Sequence, residues 1–300
     1  SAASDVYKRQ VRILITGASG QLGKTFLRIL RQDSPSYCIF AFSHAQLDVT
    51  NQKKLEEKLS SILPDYFINL AAYTDITQAE IKKTMAWAIN AIAPASIAKL
   101  CKRLNIRFIH LSSNYVFSGL GPAIYYYREQ DQTSPLNYYG FSKQEGEKAL
   151  LHHKEDALII RTSSLYSPEL LYPHFIHKIL EQLKAGHTPC VFINTYTQLS
   201  DCVNLAIFIK RCLTDPPAVN IIHFSGLELT NYYTLAQQVA QYYAELEDIK
   251  VPYILKVDPI IPPLHPPLAL LDNSLRCQLF PDLDNKQTPI QEIVRSYCAL

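Results

Sequence analysis

The chain has 300 residues, 48% of them apolar, with 29 Lys and Arg against 27 Asp and Glu and a net charge of +2. That is enough for one large domain or two smaller ones with a real core, and the balanced charge offers no basic stripe for nucleic acid. No apolar run reaches membrane-spanning length, and seven scattered cysteines, odd in number and without a CxxC pair, argue against a disulfide framework or a zinc site.

A reducing cytoplasm fits those thiols, and no metal site is expected. Ser1 to Gln10 lack a starting Met and the apolar segment of a signal peptide, so they read as an extension outside the fold. The fold then opens on Val11-Arg-Ile-Leu-Ile-Thr16, a short β-branched run that predicts a strand. Gly17-Ala-Ser-Gly20-Gln-Leu-Gly23 follows at once, and Phe26, Leu27 and Leu30 predict a helix from Thr25 to Arg31. Strand, glycine-rich turn and helix form the context of a dinucleotide-binding turn. Gly17 makes the tight turn, Gly20 lets the backbone approach a pyrophosphate, and Gly23 lets helix and strand pack closely. The helix N-terminus supplies N–H donors for the phosphates.

Cys38 to Phe42 predicts a second strand. It ends in Ser43-His44, with no Asp or Glu to hold a ribose 2′-hydroxyl. An acid there would favour NAD and repel the 2′-phosphate of NADP, so NADPH is preferred, with NADH accepted as well. Asp48 either caps the next helix, Lys53 to Ile62, or sits at the adenine edge. Tyr66 to Leu70 is a third strand, running into Ala71-Ala72-Tyr73-Thr74. Those alanines either admit a cofactor ring or simply pack. One long helix is expected from Thr84 to Leu104, broken or kinked by Pro94. Within it, Asn90 either closes a polar network or reaches the downstream lysine through water.

A fourth strand, Arg107 to Leu111, delivers Ser112, Ser113, Asn114 and Tyr115 at its carboxyl end, where open α/β sheets bind ligands. A tyrosine-rich loop, Gly119 to Leu136, leads to Tyr139-Gly-Phe-Ser-Lys143 and a helix from Gly140 to Leu150. Tyr139 and Lys143 are four apart, hence on one helical face. An ammonium beside a phenol favours the phenolate and lowers its pKa from about 10 toward the working pH. Ser113 could hydrogen-bond a carbonyl while the phenol protonates it. Ala157 to Arg161 is a fifth strand. The strand–helix alternation predicts a doubly wound parallel sheet of Rossmann type.

Beyond residue 165 prolines multiply: Pro168, Pro173, Pro189, Pro216, Pro217 and the cluster from Pro259 to Pro267. Helices are expected at Phe175–Lys184, Val203–Thr214 and Tyr233–Ala244, and a strand at Asn220–Phe224. The expected division is a nucleotide-binding domain over 11–165 and a smaller substrate-binding lobe over 166–300, partly interleaved with it.

Taken together, Ile15-Thr-Gly17-Ala-Ser-Gly20-Gln-Leu-Gly23, Asn69-Leu-Ala-Ala-Tyr-Thr74, Ala79-Glu80, Asn90, Ser112-Ser113-Asn114-Tyr115-Val-Phe117, Ser134-Pro-Leu-Asn137, Tyr139-Gly-Phe-Ser-Lys143, Gly146-Glu147 and Arg161-Thr-Ser163 carry a resemblance. The chain resembles the extended short-chain dehydrogenase/reductases, in particular the branch of dTDP-4-dehydrorhamnose reductases. The resemblance implies a catalytic trio of Ser113, Tyr139 and Lys143. In that trio Tyr139 protonates the C4 carbonyl oxygen of a nucleotide-linked deoxysugar, Ser113 hydrogen-bonds it, and Lys143 holds the nicotinamide ribose. The implied cofactor-binding set is Gly17, Ser19, Gly20, Gln21, Leu22, Ser43, Asp48, Val49, Ala71, Ala72, Tyr73, Asn90, Ser112, Tyr139 and Lys143. The implied partner is a nucleotide-sugar substrate, with neither nucleic acid nor membrane, and a homodimer is compatible with the pattern.

The second half departs from the family's pattern. Ser164 stands where the family carries Trp, Asn194 to Ser200 where it carries an Asp-Gln-x-Gly-x-Pro-Thr stretch, and His265-Pro266 where it carries Arg-Pro. Ile76-Thr77-Gln-Ala-Glu80 lacks the acid of Val-Asp-x-Ala-Glu. His223-Phe-Ser-Gly226 with Thr230 is similar to the regulatory β subunit of methionine adenosyltransferase. A non-catalytic NADP-binding regulator is therefore the alternative.

Overall fold

The computed structural model describes residues 10–32, 36–120, 124–167, 174–257, 269–283 and 286–299. Ser1 to Arg9, Pro168, Pro173, the prolines from Pro259 to Pro267 and the His265-Pro266 pair lie outside the described residues.

Six strands form one parallel sheet: β1 (Val11–Thr16), β2 (Tyr37–Phe42), β3 (Tyr66–Asn69), β4 (Arg107–Ser113), Leu158–Thr162 and Ile221–Phe224. Their spatial order runs Ile221–Phe224, Leu158–Thr162, β4, β3, β1, β2, every neighbouring pair parallel. This is the doubly wound sheet expected from the strand–helix alternation. The connections reverse direction between β1 and β3, and doubly wound sheets bind ligands outside the strand ends at such a point.

Side-chain alternation sorts each strand's residues between two faces. Ile13, Ile15, Ile68, Ile109, Ile160 and Ile222 pack beneath α1 (Gln21–Gln32) and the helix Cys202–Thr214. Leu14, Phe67, Phe108 and Ile159 pack on the other face against α2 (Gln52–Ile62) and α5 (Ala93–Arg103). Both faces being covered, the strands read as nearly unbroken apolar runs. A separate cluster joins the helices Phe175–Lys184, Tyr232–Glu247 and Ile290–Cys298 around Ile179, Leu180, Leu235, Val239 and Ile293. Among the described residues no helix is long and apolar enough to cross a membrane.

The helical stretch expected from Thr84 is present and is split just ahead of Pro94. Two short helices, α3 (Ile76–Ile81) and α4 (Lys83–Trp87), lead into a π turn at Ala88–Ile92, and α5 begins afterwards with Pro94 in its first turn. Pro94 has no N–H to give the carbonyls of the turn before it, and the helix widens into the π turn at that point. Asp48 does not cap α2. Asn51 does, accepting from the Lys54 N–H at 3.0 Å, while Asp48 closes a short turn onto the N–H and hydroxyl of Thr50. The short polar carboxylate found a nearer donor, two residues on.

Candidate active site

The glycine turn between β1 and α1 is tight. Gly17 adopts φ +70, which a side chain rarely tolerates, and its carbonyl accepts the Gly20 N–H at 3.0 Å. A Cβ on Gly23 would lie 2.3 Å from the Gly17 oxygen, so only glycine lets α1 seat on the turn.

The reactive side chains come from β4 and α6 (Tyr138–His153). Helix α6 starts where it does because the Asn137 side chain accepts from the Gly140 N–H at 2.7 Å and Glu80 of α3 accepts from the Tyr138 N–H at 2.6 Å. A Cβ on Gly146 would fall 2.0 Å from the Asn90 carbonyl, so α6 lies directly on the π turn. Two turns of helix thereby bring Tyr139 and Lys143 beneath the carboxyl end of β4.

Tyr139 is buried, its hydroxyl hydrogen-bonded by Ser113 and its ring edge-on to Tyr115 at 5.5 Å. Burial raises the phenol pKa above its ordinary value, and the Ser113 hydrogen bond only partly offsets it. That corrects the expectation of a phenol pulled down by its lysine neighbour. Lys143 is turned inward: Nζ donates to the Leu111 carbonyl at 2.6 Å and lies 3.3 Å from His110 Nε2. Burial lowers the lysine to about 8, against the opposing pull of Glu147. Glu147 in turn is held by Arg161 at 2.7 Å and by the Ser112 hydroxyl at 2.5 Å.

One cavity of about 710 Å³ joins the glycine turn to this cluster, a size usual for ligand sites. Of the expected residues it is lined by Gly17, Ser19, Gly20, Gln21, Leu22, Val49, Ala71, Ala72, Ser112, Ser113, Tyr139 and Lys143. Among the described residues no Asp or Glu lines it, whereas Lys143 and His44 do. Such a described lining, with helix N–H groups at one end, suits a dianionic or more highly charged phosphate ligand.

Ser43, Asp48, Tyr73 and Asn90 are not among the lining residues. Ser43 binds the Gln46 side chain through its N–H and hydroxyl at 2.9 and 3.0 Å. Asn90 spans the Tyr73 backbone, accepting from its N–H at 2.9 Å and donating to its carbonyl at 3.0 Å, and also donates to the Ser142 hydroxyl. Of the two readings open for Asn90, this geometry is the closed polar network. Tyr73 packs in the apolar cluster around Tyr139.

The cavity is also lined by residues outside the expected set, among them Leu47, Thr74, Ile89, Leu111, Asn114, Tyr115 and Thr162 to Leu165. Most follow directly on strand ends, the one signal that could have found them. Among the described residues no group of three His, Cys, Asp or Glu is placed to hold a metal ion.

The family described as the RmlD substrate binding domain matches residues 11–265. A dTDP-4-dehydrorhamnose reductase of Aggregatibacter actinomycetemcomitans is 32% identical over 230 residues, 75% of this chain and 76% of the relative. The dTDP-4-keto-6-deoxy-D-glucose reductase of Streptomyces niveus is likewise 32% identical, over 227 residues, 75% of this chain and 76% of the relative. Among solved structures, dTDP-4-dehydrorhamnose reductase from Bacillus anthracis in complex with NADP superposes with a TM-score of 0.82 at 25% identity, covering 100% of both chains. A hypothetical dTDP-4-dehydrorhamnose reductase from Sulfolobus tokodaii gives 0.80 at 31% identity, over 94% of this chain and 99% of the other.

Proposed function

Since this chain belongs to the RmlD substrate binding domain family, we propose that it is an NADPH-dependent reductase of a nucleotide-linked 4-keto-deoxysugar, converting dTDP-4-dehydrorhamnose to dTDP-L-rhamnose for polysaccharide synthesis. The observation that carries this reading is the meeting, in one cavity, of the glycine turn with Ser113, Tyr139 and Lys143. The relatives are named as reductases, which favours chemistry over the regulatory alternative.

The cofactor is held by Gly17, Ser19, Gly20, Gln21 and Leu22 at the phosphates, with Val49, Ala71, Ala72 and Ser112 along its length. Asn90 supports that length by fixing the Tyr73 backbone just after Ala72, and Ser43 and Asp48 belong to the segment that follows β2, beside His44 and Val49 of the cavity. The cradle fits such a group, because Gly17, Gly20 and Gly23 line the cavity without side chains to fill it, beside the start of α1. When bound, the reduced nicotinamide supplies a hydride to C4 of the sugar.

The chain's own residues do the rest. Ser113, which bonds the phenol in the free protein, turns its one hydroxyl proton to the carbonyl oxygen and orients it. Tyr139 delivers the proton to that oxygen as negative charge develops there. Its raised pKa keeps it protonated and hence able to donate at neutral pH. Lys143 holds the nicotinamide ribose. General acid catalysis of this kind contributes roughly 10²- to 10⁴-fold.

Residues 11–165 form the nucleotide-binding domain and 166–300 the substrate lobe. Its separate apolar cluster supports that division, as does the entry of Ile221–Phe224 into the sheet for the interleaving. A cytoplasmic location is supported by seven free thiols. A homodimer is supported by the exposed apolar side chains of Met85, Ile92 and Phe141.

The test is NADPH oxidation with dTDP-4-dehydrorhamnose supplied, and Tyr139→Phe as control. Turnover lost in the variant supports the reading. Absence of turnover, with NADPH still bound by fluorescence, removes that substrate.

A further inference from the structure

Behind Lys143 a row of four polar side chains crosses the middle of the sheet, where polar groups are costly unless paired. Thr16 of β1, Asn69 of β3 and His110 of β4 are each fully buried, and Lys143 of α6 nearly so. The Thr16 hydroxyl donates to Asn69 Oδ1 at 2.7 Å, and the Ala71 N–H approaches the same oxygen at 3.2 Å. Asn69 Nδ2 stands 3.1 Å from His110 Nδ1, and His110 Nε2 stands 3.3 Å from Lys143 Nζ.

The direction of each bond follows from one fixed donor. A backbone N–H can only donate, so the Ala71 N–H requires an oxygen at the Asn69 atom it meets. That orients the amide and leaves Nδ2, a donor, facing His110 Nδ1. Nδ1 must then be the bare nitrogen, and the single proton of a neutral imidazole lies on Nε2, aimed at Lys143. The ring is neutral because burial, and next the Lys143 charge, hold it well below the ordinary histidine range.

We propose that His110 is a positioning residue for Lys143: a one-way chain of donors, running from the Ala71 backbone through Asn69 and the imidazole, ends on the lysine nitrogen and makes that nitrogen an acceptor. Above its titration near 8, one N–H of the Lys143 amine goes to the Leu111 carbonyl and its lone pair faces His110, which leaves one N–H for the cavity. An ammonium in the same place has to point an N–H at the N–H of Nε2. The chain therefore opposes protonation, in the same direction as burial.

The other charges that face this lysine are few. Glu147, one turn along α6, favours the ammonium but is already paired with Arg161 from Leu158–Thr162. Tyr139, on the same helix, is neutral. The consequence for function rests on the reductase reading: the protonation of the residue that holds the ribose is set from β3, on the far side of the histidine.

The ring proton can be located without substrate or cofactor. In the full chain labelled with ¹⁵N-histidine, with the His110 signal assigned by its loss in His110→Gln, Nε2 is expected to carry the proton and Nδ1 none above pH 9, where Lys143 is the free amine. A proton on Nδ1, or an imidazolium, overturns the proposal. Asn69→Asp keeps the oxygen that Ala71 and Thr16 need but replaces the donor by an acceptor. In that variant the proton should move to Nδ1, and the Lys143 titration, followed by its ¹³Cε shift, should rise by about one unit or more. A lysine titration that stays put while the ring proton moves overturns the chain. So does one that rises while the proton stays on Nε2, since that is the added charge acting alone. A structural role for His110 moves neither signal. Because every reading is taken on the ligand-free protein, failure here is separate from failure to turn over the sugar nucleotide.

Discussion

The carbonyl of Asn90 occupies the space that a side chain on Gly146 would need, at 2.0 Å from where its Cβ would stand. Helix α6 thus rests on the π turn Ala88–Ile92, backbone against backbone, and this seating carries Tyr139 and Lys143 to the end of β4. Gly146→Ala is expected to push α6 outward and cost about 1–3 kcal/mol or more. Thermal unfolding should show the lost stability. The reductase rate should fall further than KM rises, because the displaced groups are the ones that act on the carbonyl.

Lys143 costs stability at neutral pH. Burial holds its pKa near 8 in the folded chain against an ordinary 10.5. Between those values the unfolded chain binds the extra proton and the folded chain does not, so stability rises with pH across that window and the penalty is full below it. Lys143→Met should therefore raise the melting temperature at pH 7 by up to the equivalent of about 3 kcal/mol. The gain should shrink as pH approaches 10, while reductase activity is lost. Melting curves of the two proteins at several pH values check the sign; a variant less stable at pH 7 would contradict it.

Glu147 and Arg161 are a buried ion pair, each side chain 4% exposed. Arg161 reaches both carboxylate oxygens, through Nε at 3.0 Å and a terminal nitrogen at 2.7 Å. Glu147→Gln leaves the guanidinium buried without its counter-charge, a loss of about 3–5 kcal/mol. Chemical denaturation should report it as a lower midpoint with an unchanged slope. The same change removes the one group that favours the Lys143 ammonium.

Cofactor choice is expected to follow the end of β2. Ser43 and His44 there place no acid at the strand end to repel a 2′-phosphate. Ser43→Asp should shift the ratio of kcat/KM values from NADPH toward NADH, by 10-fold for each 1.4 kcal/mol of repulsion introduced. Side-by-side kinetics with the two cofactors measure it, and an unchanged ratio would place the 2′-phosphate elsewhere.

The strands, the glycine turn and the Tyr139–Lys143 helix were legible in the sequence because each is written in neighbouring residues. A strand's apolar run and a helix's four-residue spacing are local patterns. So was the cavity's position, since Ser112 and Ser113 simply end a parallel strand.

Tertiary structure alone decided which partners the polar groups take. Asp48 reads either as a helix cap or as a group at the adenine edge, and the fold gives the cap to Asn51 and Asp48 to the Thr50 donors. Asn90 reads either as closing a polar network or as reaching the lysine, and the π turn makes it the network by aiming it at the Tyr73 backbone. Lys143 reads as a charge beside a phenol. Yet burial and the Leu111 carbonyl turn it inward, 3.3 Å from a histidine that lies 33 residues away in sequence. A side chain's pKa and its hydrogen-bond partner depend on what the sheet stacks against it, and that stacking joins residues whose separation along the chain carries no trace of the contact.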